Sequence, residues 1–500
     1  MATEAASVRR NVATSYALRG LRALSVLALT PYLFRELGVD GFGTWSVLFT
    51  IATVFSLGEY GATQGVTKQV SELRARGDAR GARDVVAAAG VLMLGLGALV
   101  LVASTLLALL AEGIAAAGME HAFQVGLIAI AATMLVRFPA QVYGATLMGA
   151  QRYDLFNLGE AVGVLAFVAG AVLALELGGG IEALAGAYAG SMLIGSAAFA
   201  LLLATVDRTL LARPRLGDGR TRRAVAGFGR ITLLVDAMDF IAQRMDTLIV
   251  AAIRGAAAAT PVAVAGRMVA GVQSLILPFV YVLLPMVAEL DAQGRAEDVR
   301  QRLLVSTRVA LQVTVVTAGA IALFSEDIVR EWLGPTAPDA TATVVVILMA
   351  VQVMILGATP ATRVLLGLGR LRALKWLAIA EGVANLSLSV ILVSAIGVVG
   401  AALATLLSSA VLVPVRIPLA CRATGCPPER LVREALAPAA RGVAPALAIM
   451  AIVLVALEPG LARLTLGVAA GVTAAVAVAA AQVGPRRLHR LGREDRHYAK

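Results

Sequence analysis

Three lysines, three histidines and two cysteines in 500 residues deprive several chemistries of the side chains they need. None of Lys68, Lys375 and Lys500 closes a G-x-x-x-x-G-K-[ST] loop, so hydrolysis of ATP by this chain is unsupported. His121, His489 and His497 are scattered without the spacing of metal ligands. Cys421 and Cys426 form a single C-x4-C in a basic loop, which reads as reduced cytosolic thiols rather than a disulfide framework or a zinc site. Charge is scarce as well. Charged residues make up 15% of the chain, against about 25% in soluble domains, which excludes an ordinary soluble globular protein. The polar connections are short, and none carries the paired carboxylates of a membrane glycosyltransferase or ligase. This argues against an enzyme.

What remains is apolar. Hydrophobic residues make up 59% of the chain and mean hydropathy is +0.84, values that point to a polytopic membrane protein. Applying a length of about 20 apolar residues per span gives about fourteen spans. Six lie roughly at 14–34, 42–64, 86–110, 123–147, 156–176 and 183–206, and six more roughly at 228–252, 262–287, 308–325, 342–366, 374–394 and 397–416. The last two fall roughly at 442–458 and 463–483. Arg9 and Arg10 precede the first span without a cleavage site, so that span reads as an uncleaved helix.

The net charge of +11 has a topological explanation. Basic residues sit in short patches after even-numbered spans, as at Lys68, Arg74, Arg76, Arg80 and Arg83, and again at Arg370, Arg372 and Lys375. Connections after odd-numbered spans hold almost none. The positive-inside rule then places both termini in the cytoplasm, and no nucleic-acid partner is implied.

The chain also repeats itself. Residues 70–83, VSELRARGDARGAR, recur as VAELDAQGRAEDVR at 287–300; Met148–Arg152 echoes Leu366–Arg370; and Glu160-x-Val162-x-x-Leu165 echoes Glu381-x-Val383-x-x-Leu386. Six spans per copy make the copies parallel, with a path expected between them. The expected organisation is a six-helix lobe over 1–206, a cytoplasmic linker over 207–227, a second lobe over 228–416, and a loop, two further helices and a basic tail over 417–500. GxxxG spacings at Gly186–Gly190 and Gly467–Gly471 are common by chance in spans so rich in small residues.

Ionisable groups inside spans are expensive and carry a functional reading by default. Arg19 and Arg22 share a face of the first span, and Glu59 on the second is expected level with them as a partner for either. On the seventh span Asp236, Asp239, Gln243 and Asp246 form one polar stripe, on a helix that also carries Arg244. Arg267 on the eighth is expected level with Arg244 and Asp246, and Arg137 lies within the fourth. In one reading these arginines line a cavity for an anionic headgroup, because guanidinium stays charged and its fork fits phosphate oxygens. Glu59, Asp236, Asp239 or Asp246 would then carry a coupling proton or sodium ion, with no other cofactor. In the other reading the same groups are buried ion pairs that hold helices in register. Arg363 is placed where it can snorkel to the cytoplasm. Glu160 and Glu381 occupy equivalent places in the two copies and read as structural.

Several short runs carry a family resemblance. Residues Pro31 to Gly43, PYLFRELGVDGFG, look like the first-helix exit of bacterial polysaccharide flippases, and Ser56–Gly61, SLGEYG, resembles the acid-and-glycine turn of their second helix. Leu284–Leu290 is similar to the end of their eighth helix, and Gly397–Thr405 to the start of their twelfth. Nearly the whole chain thus resembles the polysaccharide branch of the multidrug/oligosaccharidyl-lipid/polysaccharide exporter superfamily. The resemblance implies an all-α bundle of two six-helix lobes plus two C-terminal helices, opening alternately to either side of the bacterial cytoplasmic membrane. Its implied cargo is an undecaprenyl-diphosphate-linked oligosaccharide, with Arg19, Arg22 and Arg267 meeting the diphosphate. Membrane lipids, and a polysaccharide polymerase and glycosyltransferases, would be its partners. A lipid II flippase, a cation-coupled drug exporter and a non-transporting scaffold remain alternatives.

Overall fold

The computed structural model describes residues 2–110, 114–212, 214–216 and 245–494. Among them there is no strand, and twelve helices are long and apolar enough to cross a membrane. Leu99, Leu106, Leu109, Leu173, Leu201, Ile391, Val411 and Val455 are exposed on these helices. An apolar exterior on helices that satisfy their own backbone is what a bilayer demands. The protein is a multi-pass membrane protein.

The chain divides into two compact units, Met1–Ala263 and Val264–Lys500. The first contains α1 (Ala2–Ala75), α2 (Ala79–Leu110), α3 (Glu120–Gly149), α4 (Tyr153–Glu176), α5 (Ile181–Val206) and the short α6 (Asp246–Arg254). Helix α1 holds two of the expected spans. Gly38 divides them, its φ of 67° and ψ of −175° being a break that a side chain would resist. Helix α2 packs on α3, α3 and α4 on α5, and α1 on α3 and α4. Their centre is aromatic: Trp45 stacks on Phe167 with centroids 6.0 Å apart, and Tyr188 meets both rings edge-on. Most of the expected linker 207–227 and most of the expected span 228–252 lie outside the described residues.

Helix α7 (Thr260–Tyr281) runs on into the second unit, followed by α8 (Leu283–Ala292), α9 (Ala296–Leu323), α10 (Ser325–Leu333) and α11 (Ala340–Gly367). Then come α12 (Leu371–Ile396), α13 (Val398–Leu412), α14 (Arg416–Thr424), α15 (Pro428–Leu431), α16 (Ala437–Ala456) and α17 (Leu461–Glu494). Helix α9 packs on α11 and α12 on α13, while α16 and α17 pack on each other and on α9. The two GxxxG spacings behave differently. Gly186 and Gly190 face open space, whereas a Cβ on Gly467 would collide with the Phe324 ring, and one on Gly471 with Met450. Only the second spacing buys close approach, and it seats α17 on the second unit.

The sequence repeat reappears as repeated turn geometry. At Gly77 and Gly294 φ is 71° in both, and the residue after each donates its N–H to the carbonyl five back: Asp78 to Leu73 at 2.9 Å, Arg295 to Leu290 at 2.9 Å. The same closure recurs at Gln151 and Gly369, where Arg152 reaches Leu147 and Arg370 reaches Leu365, both at 2.9 Å. All four are Schellman caps, in which a left-handed residue folds the chain back over its own helix end. Other connections have diverged. Gly178 lies three residues before α5, whereas Gly397 directly precedes α13.

Candidate functional site

The cytoplasm-facing half expected for α1 is poorly covered, and polar groups attach it to α4. Asn11 donates to the Gln151 carbonyl at 3.1 Å and accepts from the Asp154 N–H at 3.0 Å. Arg10 and Arg152 both engage the Asp154 carboxylate, each at 3.0 Å. One turn on, the Asn157 amide donates to Thr14 at 3.1 Å and to Ser15 at 2.9 Å. Arg22 then pairs with Glu160, and near the far end Tyr32 donates to Glu176 at 3.1 Å. These contacts run in the same order along both helices, so the helices lie parallel. Arg19 stays exposed, its guanidinium 5.7 Å from the Tyr16 ring on its own helix.

Glu59 does not pair with Arg19 or Arg22, as its depth suggested. Arg137 of α3 donates to its Oε1 at 3.0 Å, and the carboxylate is buried. With the Gln141 amide turned so that its oxygen faces Arg137, that oxygen accepts from Nη2 at 2.9 Å and Nη1 at 3.3 Å. Gln141 lies one turn along from Arg137 and holds the fork in place. Helical spacing gives the face a residue occupies but not which helix comes to meet it, so the Glu59–Arg137 partnership had no sequence signal.

In the second unit, Glu381 accepts from Arg416 at 2.5 Å, joining α12 to the start of α14. Arg363 stacks over the Tyr281 ring at 4.0 Å. Gln273 of α7 donates to Gln352 of α11 at 3.0 Å. Arg267 lies half-buried on α7, and Asp246 is buried in the first turn of α6. Asp236, Asp239, Gln243 and Arg244, the remainder of the expected stripe, lie outside the described residues.

One ion pair that sequence reasoning passed over ties the C-terminal helices down. Asp327, buried on α10, accepts from Arg463 Nε and Nη2, both at 2.7 Å, and from Arg330 at 2.8 Å. The third Arg463 nitrogen donates to the Leu454 carbonyl at 3.2 Å. An arginine at the first turn of a span looks like an interfacial anchor in sequence, which is why it drew no attention. Cys421 and Cys426 are free and buried, and burial pushes the Cys426 thiol up from its ordinary pKa. Among the described residues no three or more His, Cys, Asp or Glu side chains gather where they could hold a metal ion.

Comparison with known proteins decides the family. Residues 8–291 match the family described as polysaccharide biosynthesis protein, more than half of the chain. The chain belongs to that family. No curated protein matches it in sequence. Among solved structures, this polysaccharide biosynthesis protein is similar to the lipid II flippase MurJ in an inward closed conformation. The TM-score is 0.72 at 11% identity, covering 95% of this chain and 98% of that one. It is also similar to an inward-facing multidrug resistance MATE family transporter of the MOP superfamily, with a TM-score of 0.69 at 15% identity, covering 80% and 95% of the two chains. A MOP superfamily transporter from Pyrococcus furiosus gives a TM-score of 0.61 at 15% identity, covering 84% and 95%. At such identities the likeness concerns the fold, which is that of these transporters.

Proposed function

We propose that this chain flips a lipid-linked oligosaccharide, carried on undecaprenyl diphosphate, from the cytoplasmic to the outer leaflet of the bacterial cytoplasmic membrane. Membership of a polysaccharide biosynthesis family supports the glycan, and the transporter fold supports movement rather than synthesis. The observation that carries the reading is Arg22. Its side chain is 50% exposed on a span, paired with a carboxylate yet open to a further anion. A charge left half exposed on an apolar span suits a phosphate-bearing cargo better than it suits a purely structural tie.

In this reading both termini are cytoplasmic, the lobes are 1–206 and 228–416 joined by the linker 207–227, and the helices beyond 417 are an addition to the transport unit. Arg19, Arg22 and Arg267 meet the diphosphate, while Arg137 and Arg244 contribute positive charge to the cavity. Glu59, Asp236, Asp239 and Asp246 are the acids available to a coupling proton or sodium ion. Alternating access follows if cargo or ion binds one lobe arrangement more tightly than the other. A polymerase and glycosyltransferases would act on the cargo before and after it crosses.

The test is reconstitution into liposomes with a labelled undecaprenyl-diphosphate oligosaccharide, scoring headgroup exposure with and without proton and sodium gradients. Protein-dependent translocation supports the proposal, and its response to one gradient names the ion. Movement of lipid II alone assigns the chain to peptidoglycan synthesis. Gradient-driven movement of a cationic dye alone assigns it to drug export. If nothing moves, the transporter reading falls.

A further inference from the structure

The first unit gathers four charged side chains from three helices: Arg22 and Glu59 from the two segments of α1, Arg137 from α3 and Glu160 from α4. As found they form two pairs, Arg22 with Glu160 and Arg137 with Glu59, so the charges cancel. The pairs are not isolated. Glu160 lies within electrostatic reach of both Glu59 and Arg137. Arg137 still has capacity, since its Nε is buried and has no hydrogen-bond partner among the described residues, and the same holds for Glu59 Oε2.

Accessibility separates the members. Arg22 is 50% exposed, Arg137 21%, Glu160 17% and Glu59 7%. An incoming anion therefore reaches Arg22 first, and it must compete with Glu160 there. Once displaced, Glu160 cannot remain unpaired beside Glu59, because two carboxylates in a partly desolvated site repel each other. Arg137, within electrostatic reach and with a buried Nε that has no hydrogen-bond partner among the described residues, is a charge that can receive it.

We propose that Glu160 is a resident anion: it occupies Arg22 while the transporter is empty and passes to Arg137 when a diphosphate headgroup takes its place. This rests on the proposed cargo and adds a gating residue to it. Glu160 keeps Arg22 neutralised between cycles, so an empty carrier does not expose an uncompensated charge to the membrane. It also sets a threshold, since weak single-charge anions gain too little to displace it. Arg137 acts as a positioning residue that stabilises the occupied state without touching the cargo.

The experiment measures binding of geranyl diphosphate, a short soluble prenyl diphosphate, to the full chain in lipid nanodiscs by calorimetry, with inorganic pyrophosphate as a parallel probe. Glu160→Gln and Glu160→Ala should each bind about tenfold more tightly than the wild type, because the internal competitor is gone. Arg22→Gln should lose that gain when combined with either. Glu36→Gln, which removes an exposed carboxylate elsewhere on α1, should leave affinity unchanged. An equal gain for both probes assigns recognition to the diphosphate itself, and a gain confined to the prenyl compound assigns it to a headgroup held at the membrane; both support the exchange. If the wild type binds geranyl diphosphate and the Glu160 variants bind it equally or more weakly, the exchange is overturned while the proposed cargo stands. If no variant binds either probe, the cargo reading fails first and takes the exchange with it.

Discussion

Glu160 and Glu381 hold matching places in the two copies of the repeat, yet they have acquired different partners. Glu160 of α4 reaches across to Arg22 on the first helix of its unit, an arginine that remains half exposed. Glu381 of α12 takes Arg416, which follows two helices later and is only 17% exposed. The glutamate recurs while the arginine is supplied from a different helix. A duplicated acid can thus serve as a fixed tie in one half and as an exchangeable one in the other. What separates the two roles is the accessibility of the cation, not the identity of the pair.

That contrast can be broken from either side. Glu381→Gln should have the largest effect on stability, costing about 3–5 kcal/mol because it strands a buried guanidinium. It would be read as a lowered thermal midpoint and a reduced folded yield in detergent. Combining it with Arg416→Met should recover most of that loss, since removing both charges leaves nothing uncompensated. A Glu381→Gln protein as stable as the wild type would dissolve the distinction. Arg22→Gln is expected to behave in the opposite way. It should shift stability by at most about 1 kcal/mol, as half-exposed pairs do, while glycan export in cells falls to background. The comparison is also sharpened at the repeated turns. Gln151 holds φ at 61° where the second copy has Gly369, so Gln151→Gly should stabilise the first unit by up to about 1 kcal/mol in the same thermal assay. Smallest of all is Gly186→Ala, which faces open space and should be silent, whereas Gly467→Ala meets Phe324 and should loosen α17.

Much of the architecture could be read from spacing alone. Apolar runs located the helices, and the echoes at 70–83/287–300 and 148–152/366–370 turned out to be the stretches that close Schellman caps, where sequence and backbone are most tightly bound together. The partners of charged groups were another matter. Glu59 found Arg137, 78 residues away on α3, because helix packing and not depth chose its neighbour. Arg416 and Arg463 drew no reading from the sequence, and only the arrival of α12 and α10 beside them made ion pairs. Packing also decided between two GxxxG spacings that are identical on paper. The seventh-span acids Asp236 and Asp239 remain a proposal drawn from periodicity.

The four repeated caps have one more consequence, for how the chain is threaded into the bilayer as it is made. In three of them the residue that completes the turn is an arginine: Arg152, Arg295 and Arg370. The closing bond uses the backbone N–H, so any residue but proline would stop the helix there. The guanidinium beyond it, paired with Asp154 at Arg152 and with Asp298 at Arg295, supplies the positive charge that in the proposed orientation would keep that connection on the side of synthesis. Punctuation and address are thus written in a single codon, and they are separable. Replacing Arg152 with glutamate would leave the stop in place and erase the address.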